Sequence, residues 1–260
     1  MSGLGAITRA AALRRAAYRV DYWMGLGSLA VMLSVQYHLW RAVHAGAGSL
    51  AGLGLPQLLT YVLLARVVAS AVQVDVDANL GYRMRLGDLV HELCRPVDWQ
   101  AALLAESLGQ QGFTLLGTSL PAYLICRRVG LVLPPAPGAT GWFLAGLVLS
   151  YLLMFGLAFL VGAAALRFRS VRGLIDLKLA VILFFSGGLV PLDLYPAWLG
   201  RIAAWLPFQG IYHLPVSLYL GRVANPADAL ALQAGWVLAV VTAGRLAWLG
   251  LRRHLVIQGG

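Results

Sequence analysis

Charge is scarce in this chain: Asp, Glu, Lys and Arg make up only 12% of its 260 residues, about half the ~25% usual in soluble domains. With 60% hydrophobic residues and a mean hydropathy of +0.78, that scarcity excludes an ordinary soluble enzyme and points to an integral membrane protein. Lysine is almost missing. Lys178 is the only one and follows Leu177, so there is no Gly-Lys-Ser/Thr turn to hold phosphates, and the chain is not a P-loop ATPase. The only cysteines, Cys94 and Cys126, are expected on opposite membrane faces, which rules out a disulfide and leaves no paired-thiol metal site. The five histidines have no ligand spacing. G-x-S-x-G and H-E-x-x-H are absent too, so neither a catalytic residue nor a cofactor is expected in this chain. The net charge of +10 would suggest nucleic acid in a soluble protein. Here it is read as arginines facing the cytoplasm and anionic lipid, with no nucleic-acid partner.

What is present is a series of apolar runs. A helix needs about 20 residues to cross a ~30 Å hydrocarbon core, and runs of that kind fall at 22–44, 56–74, 99–125, 142–166, 174–192 and 229–249. Six spans leave no room for a separate soluble domain. The first run follows a basic segment and precedes Ala45-Gly46-Ala47, but it is too long for a signal-peptide core and is read as retained. Arg9, Arg14, Arg15, Arg19, Arg83, Arg85, Arg95, Arg167, Arg169, Arg172, Lys178, Arg252 and Arg253 fall on the N-terminal side. Only Arg127, Arg128, Arg201 and Arg222 fall on the other. That bias puts both termini in the cytoplasm. A seventh span near 202–220 would reverse the C-terminus, but Arg201, Pro207, Pro215 and the terminal Arg252 and Arg253 oppose it.

Three connecting segments can carry a mechanism. Residues 1–20 include Ala6, Ala10, Leu13, Ala17 and Val20 on one helical face with Arg15 and Arg19 on another. That suits a helix lying on the inner membrane surface; a basic tail that only sets topology is the alternative. Within 80–96, Leu86, Leu89, Val90 and Leu93 form an amphipathic stripe. Asp88 sits near its start and Pro96 stops it. Such a helix can contact a soluble partner or pack on its own bundle. Residues 186–221 are hydrophobic but broken by Pro191, Pro196, Pro207 and Pro215, and read as short external helices dipping into the membrane. Arg66 lies mid-way along the second span and Glu106 about two turns into the third. Intramembrane charges are functional candidates, and a structural Arg66–Glu106 pair is favoured over a substrate contact. Arg245, near the inner end of the last span, is expected to snorkel.

Three stretches resemble the membrane-spanning permeases of bacterial type-two ATP-binding-cassette exporters, in particular the six-span subgroup described as ABC-2 family transporter proteins. They are GDLVHELCRPVDW (87–99), SGGLVPLDLYPAWLGRIAAWLPF (186–208) and the P-x-x-x-x-x-G of 215–221. The resemblance implies an all-α integral membrane fold with an N-terminal elbow helix, a coupling helix between spans two and three, and external re-entrant helices between spans five and six. It implies that Leu86, Asp88, Leu89, His91, Glu92, Leu93 and Arg95 contact an ATPase subunit, and that Pro191, Tyr195, Trp198 and Phe208 form an external gate. Two ATPase subunits, carrying ATP and Mg, would join two permeases, identical or paralogous, in the bacterial cytoplasmic membrane. The chain itself would be a non-catalytic path for an amphipathic or hydrophobic substrate.

Two rival readings compete. A secondary transporter would use Arg66 and Glu106 as a coupling pair, although the two halves of the chain show no repeat. A membrane-embedded lipid-modifying enzyme would need polar residues clustered at one face, and outside only Asp193 and Asp228 are acidic.

Overall fold

The computed structural model describes residues 3–17, 19–47, 52–86, 97–165 and 171–251. Within them every element is helical: α1 Gly3–Ala17, α2 Arg19–Ala47, α3 Leu55–Ala71, α4 Val76–Leu86, α5 Trp99–Thr114, a π turn Leu115–Ser119, α6 Leu120–Arg128, α7 Ala139–Ala165 and α8 Val171–Phe185. An external segment follows, with 3-10 turns Leu192–Leu194 and Pro207–Gly210, α9 Ala197–Trp205 and α10 His213–Tyr219. The described chain closes with α11 Pro226–Leu251.

Three helical runs are long and apolar enough to cross a membrane: Leu55–Arg83, Ala139–Ala164 and Pro226–Gly250. The first is α3 continued into α4 across a break at Val72–Asp75. The other expected spans are helical but fall short by themselves. Gln36, His38 and Arg41 dilute the second half of α2, the 99–125 run is divided by the π turn, and α8 has 15 residues. The fifth span, expected to reach residue 192, stops at Phe185. Gly187 adopts φ 75°, a left-handed conformation open to glycine, and the Ser186 carbonyl accepts the His213 amide at 2.9 Å. The prolines of the next stretch start helices as well as interrupt them. Pro196 caps α9 and Pro207 opens a 3-10 turn, positions where a missing N–H costs nothing.

Pro121, in the first turn of α6, has no N–H to give the Gly117 carbonyl four residues back. The chain adjusts by opening a π turn, and the Tyr22 hydroxyl donates to the Gly117 oxygen at 2.9 Å. The core forms around α3 and α7. Residues Leu58 to Ala71 of α3 are buried on nearly every face, which marks a helix enclosed by others. α7 packs along α11, where Gly156 faces Val240 and Val241, and Gly244 faces Phe159. Small residues at such crossings let helix backbones approach closely without help from the hydrophobic effect.

The N-terminal helix is docked. Ala11 is fully buried, and a Cβ on Gly109 of α5 would run into the Thr8 carbonyl. The expected lipid-facing positions Ala6, Ala10 and Leu13 stay exposed, so α1 has one face on α5 and another free.

Candidate functional site

The outer end of the bundle is closed by the external segment on the ends of α3 and α8. Tyr61, fully buried in α3, meets both the Gly187 carbonyl at 3.1 Å and His213 Nδ1 at 2.9 Å. One hydroxyl hydrogen cannot serve both. With the carbonyl as acceptor, Nδ1 carries the imidazole proton and donates to Tyr61, leaving Nε2 to accept from Ser217 at 3.4 Å. Gln233 of α11 and Ser150 of α7 both donate to the Gly210 carbonyl, at 2.7 and 2.8 Å. Arg222 and Asp193 pair at 2.9 Å.

Of the expected gate residues, Pro191 is buried. Tyr195 donates to the Phe184 carbonyl at 2.6 Å, and the Phe208 ring lies 6.4 Å from Phe185. All three hold the segment against the end of α8. Trp198 does not join them: it is 60% exposed on α9, as Trp205 is at 81%.

The inner end is tied by ions. Lys178 of α8 reaches Asp77 of α4 at 2.5 Å, with side chains 6% and 2% exposed. Glu106 of α5 accepts from Arg83 of α4 at 2.6 Å and from Arg14 of α1 at 2.9 Å. Glu106 therefore joins three helices and does not pair with Arg66, contrary to the expectation from sequence. Arg66 sits a full span away from the inner end where Arg83 lies, and the broken α3–α4 run puts Arg83 nearer α5. Arg245 pairs with Asp98, a contact that holds it at the inner end instead of leaving it to snorkel alone. Burial would raise the Asp98 carboxyl, but the Ala101 amide and the Arg245 guanidinium outweigh it and hold the group below its ordinary value.

Between these two ends lies a cleft of about 480 Å³ lined by α2, α3, α7 and α8, with Lys178 toward its inner end and Tyr212 from the external segment. Leu29, Met32, Met154, Ile175 and Leu179 give it apolar walls, and Arg66 points its charge there. The Arg66 Nε is buried without a hydrogen-bond partner, and one Nη lies 4.0 Å from the Met32 sulfur. Among the described residues Arg66 makes no ion pair. A cation at the centre of a membrane helix costs about 2.5–3.5 kcal/mol on insertion scales, so an unmatched one is unusual. A second cleft, about 490 Å³, opens at the Glu106 junction between α1, α4 and α5.

Residues 87–96, which hold Asp88, Leu89, His91, Glu92, Leu93 and Arg95, lie outside the described residues. Leu86 is described only as the last backbone position of α4. Sequence reasoning missed Tyr61, Asp77, Tyr212 and His213. Lys178 carried a usable signal, as a lone lysine in an apolar run, but its partner is separated from it by about a hundred residues.

A family model described as ABC-2 family transporter protein matches residues 30–259, nearly the whole chain. No curated protein matches the sequence.

Proposed function

The chain belongs to the ABC-2 family of transporter proteins, and from that premise we propose that it is the six-span permease subunit of an ATP-driven exporter. In this reading it forms half of a translocation path for an amphipathic or hydrophobic substrate, in a bacterial cytoplasmic membrane with both termini inside. Two ATPase subunits bind ATP and Mg, and a second permease, identical or paralogous, completes the path. The observation that carries the reading is the cleft framed by α2, α3 and α8, capped outside and ion-tied inside.

The mechanism follows from where the ties lie. Closure of the ATPase pair would push on residues 86–95, which leave α4 directly. α4 is held to α8 by Asp77–Lys178 and to α5 and α1 by Arg83–Glu106–Arg14. A push there is therefore shared by the helices that line the cleft. The break at Val72–Asp75 is the place where α3 and α4 can change angle. At the outer end, motion of α8 would pull Tyr195 and Phe208 with it, loosening the Gly187–Tyr61 contact and releasing the substrate outward.

Pull-down of tagged protein from its host in mild detergent tests this. Recovery of a P-loop ATPase that is lost with Leu89→Asp and Leu93→Asp supports the reading, and a second permease in the eluate decides homodimer against heterodimer. Repeated recovery of the chain without an ATPase overturns it. Cysteines placed at Tyr195, Trp198 and Phe208 should change their labelling with nucleotide state. The separation of Arg66 from Glu106 removes the coupling pair on which a secondary transporter would depend.

A further inference from the structure

We infer that the Arg66 cleft is a binding site for an amphiphile with an acidic head, a carboxylate or phosphate, and an apolar tail. The inference rests on the proposed permease reading and names the substrate class that reading leaves open. Four charged groups line the cleft, and three of them are accounted for. Lys178 and Asp77 neutralise each other at 2.5 Å. Asp75, at the inner rim, accepts from Gln73 at 3.3 Å to each oxygen. Arg66 alone has no matching charge among the described residues.

Its surroundings define the ligand. The guanidinium offers a planar fork suited to carboxylate or phosphate oxygens, and its buried Nε has no protein acceptor. Ser28 and Ser70 supply further hydroxyls along the same cleft. The walls of Leu29, Met32, Met154, Ile175 and Leu179 accept an alkyl or ring body, with methionines adapting to its shape. A cationic head would meet Arg66 with like charge and no compensating acid at that depth, and a neutral one would leave the guanidinium unmatched.

The test is a fluorescence titration of the full chain in phosphatidylcholine nanodiscs with dansylundecanoic acid as probe. Dodecyl phosphate, dodecyltrimethylammonium and dodecanol serve as competitors. Dodecyl phosphate should displace the probe at concentrations roughly tenfold to a hundredfold below the other two. Arg66→Gln should weaken the probe by a similar factor, with Arg66→Lys weaker than wild type but within about tenfold of it. Equal displacement by anion and cation, or an unchanged Arg66→Gln, overturns the inference. If Arg66→Gln does not fold, the wild-type charge comparison still decides, together with Leu179→Trp, which should narrow the cleft and weaken anionic and neutral ligands alike.

Phosphatidylglycerol in the nanodisc separates the two sources of such a head. A fall in probe affinity in proportion to that lipid assigns the cleft to a bilayer lipid, and no fall assigns it to a free amphiphile. Should Arg66 instead face a carboxylate of a second copy, Arg66→Gln would change oligomeric state and leave probe binding intact, which overturns the inference. Because binding is read without an ATPase, its failure stays distinct from that of the permease reading. An ATPase that co-purifies while the probe shows no charge preference removes only the ligand assignment.

Discussion

Asp77 and Lys178 form an ion pair almost wholly shielded from solvent, joining α4 to α8 at 2.5 Å. Removing one partner leaves the other charge buried alone, at a cost of about 3–5 kcal/mol, whereas replacing both with apolar residues is often neutral. Lys178→Met and Asp77→Asn should each be strongly destabilised, and Lys178→Met with Asp77→Leu should recover most of the loss. Unfolding titrations of the single and double variants check this; simple additivity would mean that the pair is not acting as a unit. As the only lysine, Lys178 should also resist reductive methylation in the folded protein.

Glu106 is a junction with unequal arms. Arg83 is 17% exposed and Arg14 63%, so the Arg83 contact carries more energy and the Arg14 contact is screened. Glu106→Gln should cost about 1.5–3 kcal/mol, and Arg14→Gln less than about 1 kcal/mol. The same unfolding assay should rank the two variants in that order.

At the outer cap, Tyr61→Phe deletes the hydroxyl that serves both Gly187 and His213 and should cost about 1–3 kcal/mol. Gly187→Ala should be worse. It forces a side chain into a left-handed conformation, where its Cβ would sit 2.6 Å from the Tyr61 oxygen. Solvent labelling of a cysteine at Tyr195 should rise in both variants.

The Asp98–Arg245 pair gives a pH dependence of known sign. The folded-state carboxyl is held below its usual value, and an unfolded aspartate titrates near ~3.9. Its stabilisation is therefore present above about pH 4 and lost as pH falls through the folded value. Asn also caps helices, so Asp98→Asn removes the charge and keeps the cap. The difference from wild type should be under about 1 kcal/mol at pH 7, since both side chains are substantially exposed, and should vanish near pH 3 or below.

Two glycines three positions apart on α5 should behave oppositely. Gly109→Val collides with Thr8 and Ala11 and should release α1, costing about 1–3 kcal/mol. Gly112 has open space around its Cβ position, so Gly112→Ala should be neutral or stabilising by up to about 1 kcal/mol. Protease cleavage within α1 separates the two outcomes.

The sequence made the helical class legible, and with it the family and the existence of short external helices, because apolar length and proline position are local signals. The fifth helix was drawn too long because hydropathy continues through Ser186-Gly187-Gly188, while the turn depends on a backbone angle. Pro121 lay in plain view within the third run, but its effect depended on Tyr22, almost a hundred residues earlier. The pairing of Glu106 failed for the same reason. Two intramembrane charges in adjacent spans look like partners until depth and azimuth are known, and the break at Val72–Asp75 brings Arg83 to Glu106 instead.

The π turn at Leu115–Ser119 also sets how the chain tolerates insertions and deletions. A π turn holds one residue more than the α turn it replaces, so losing a single residue there would restore a regular helix. Everything beyond would then swing by about 100° around the axis. Tyr123, now 3.0 Å from the Tyr219 hydroxyl, would be carried off that partner, and Cys126 would leave the core. Substitutions in these five positions should be absorbed, while a one-codon deletion would unseat the outer half of the bundle.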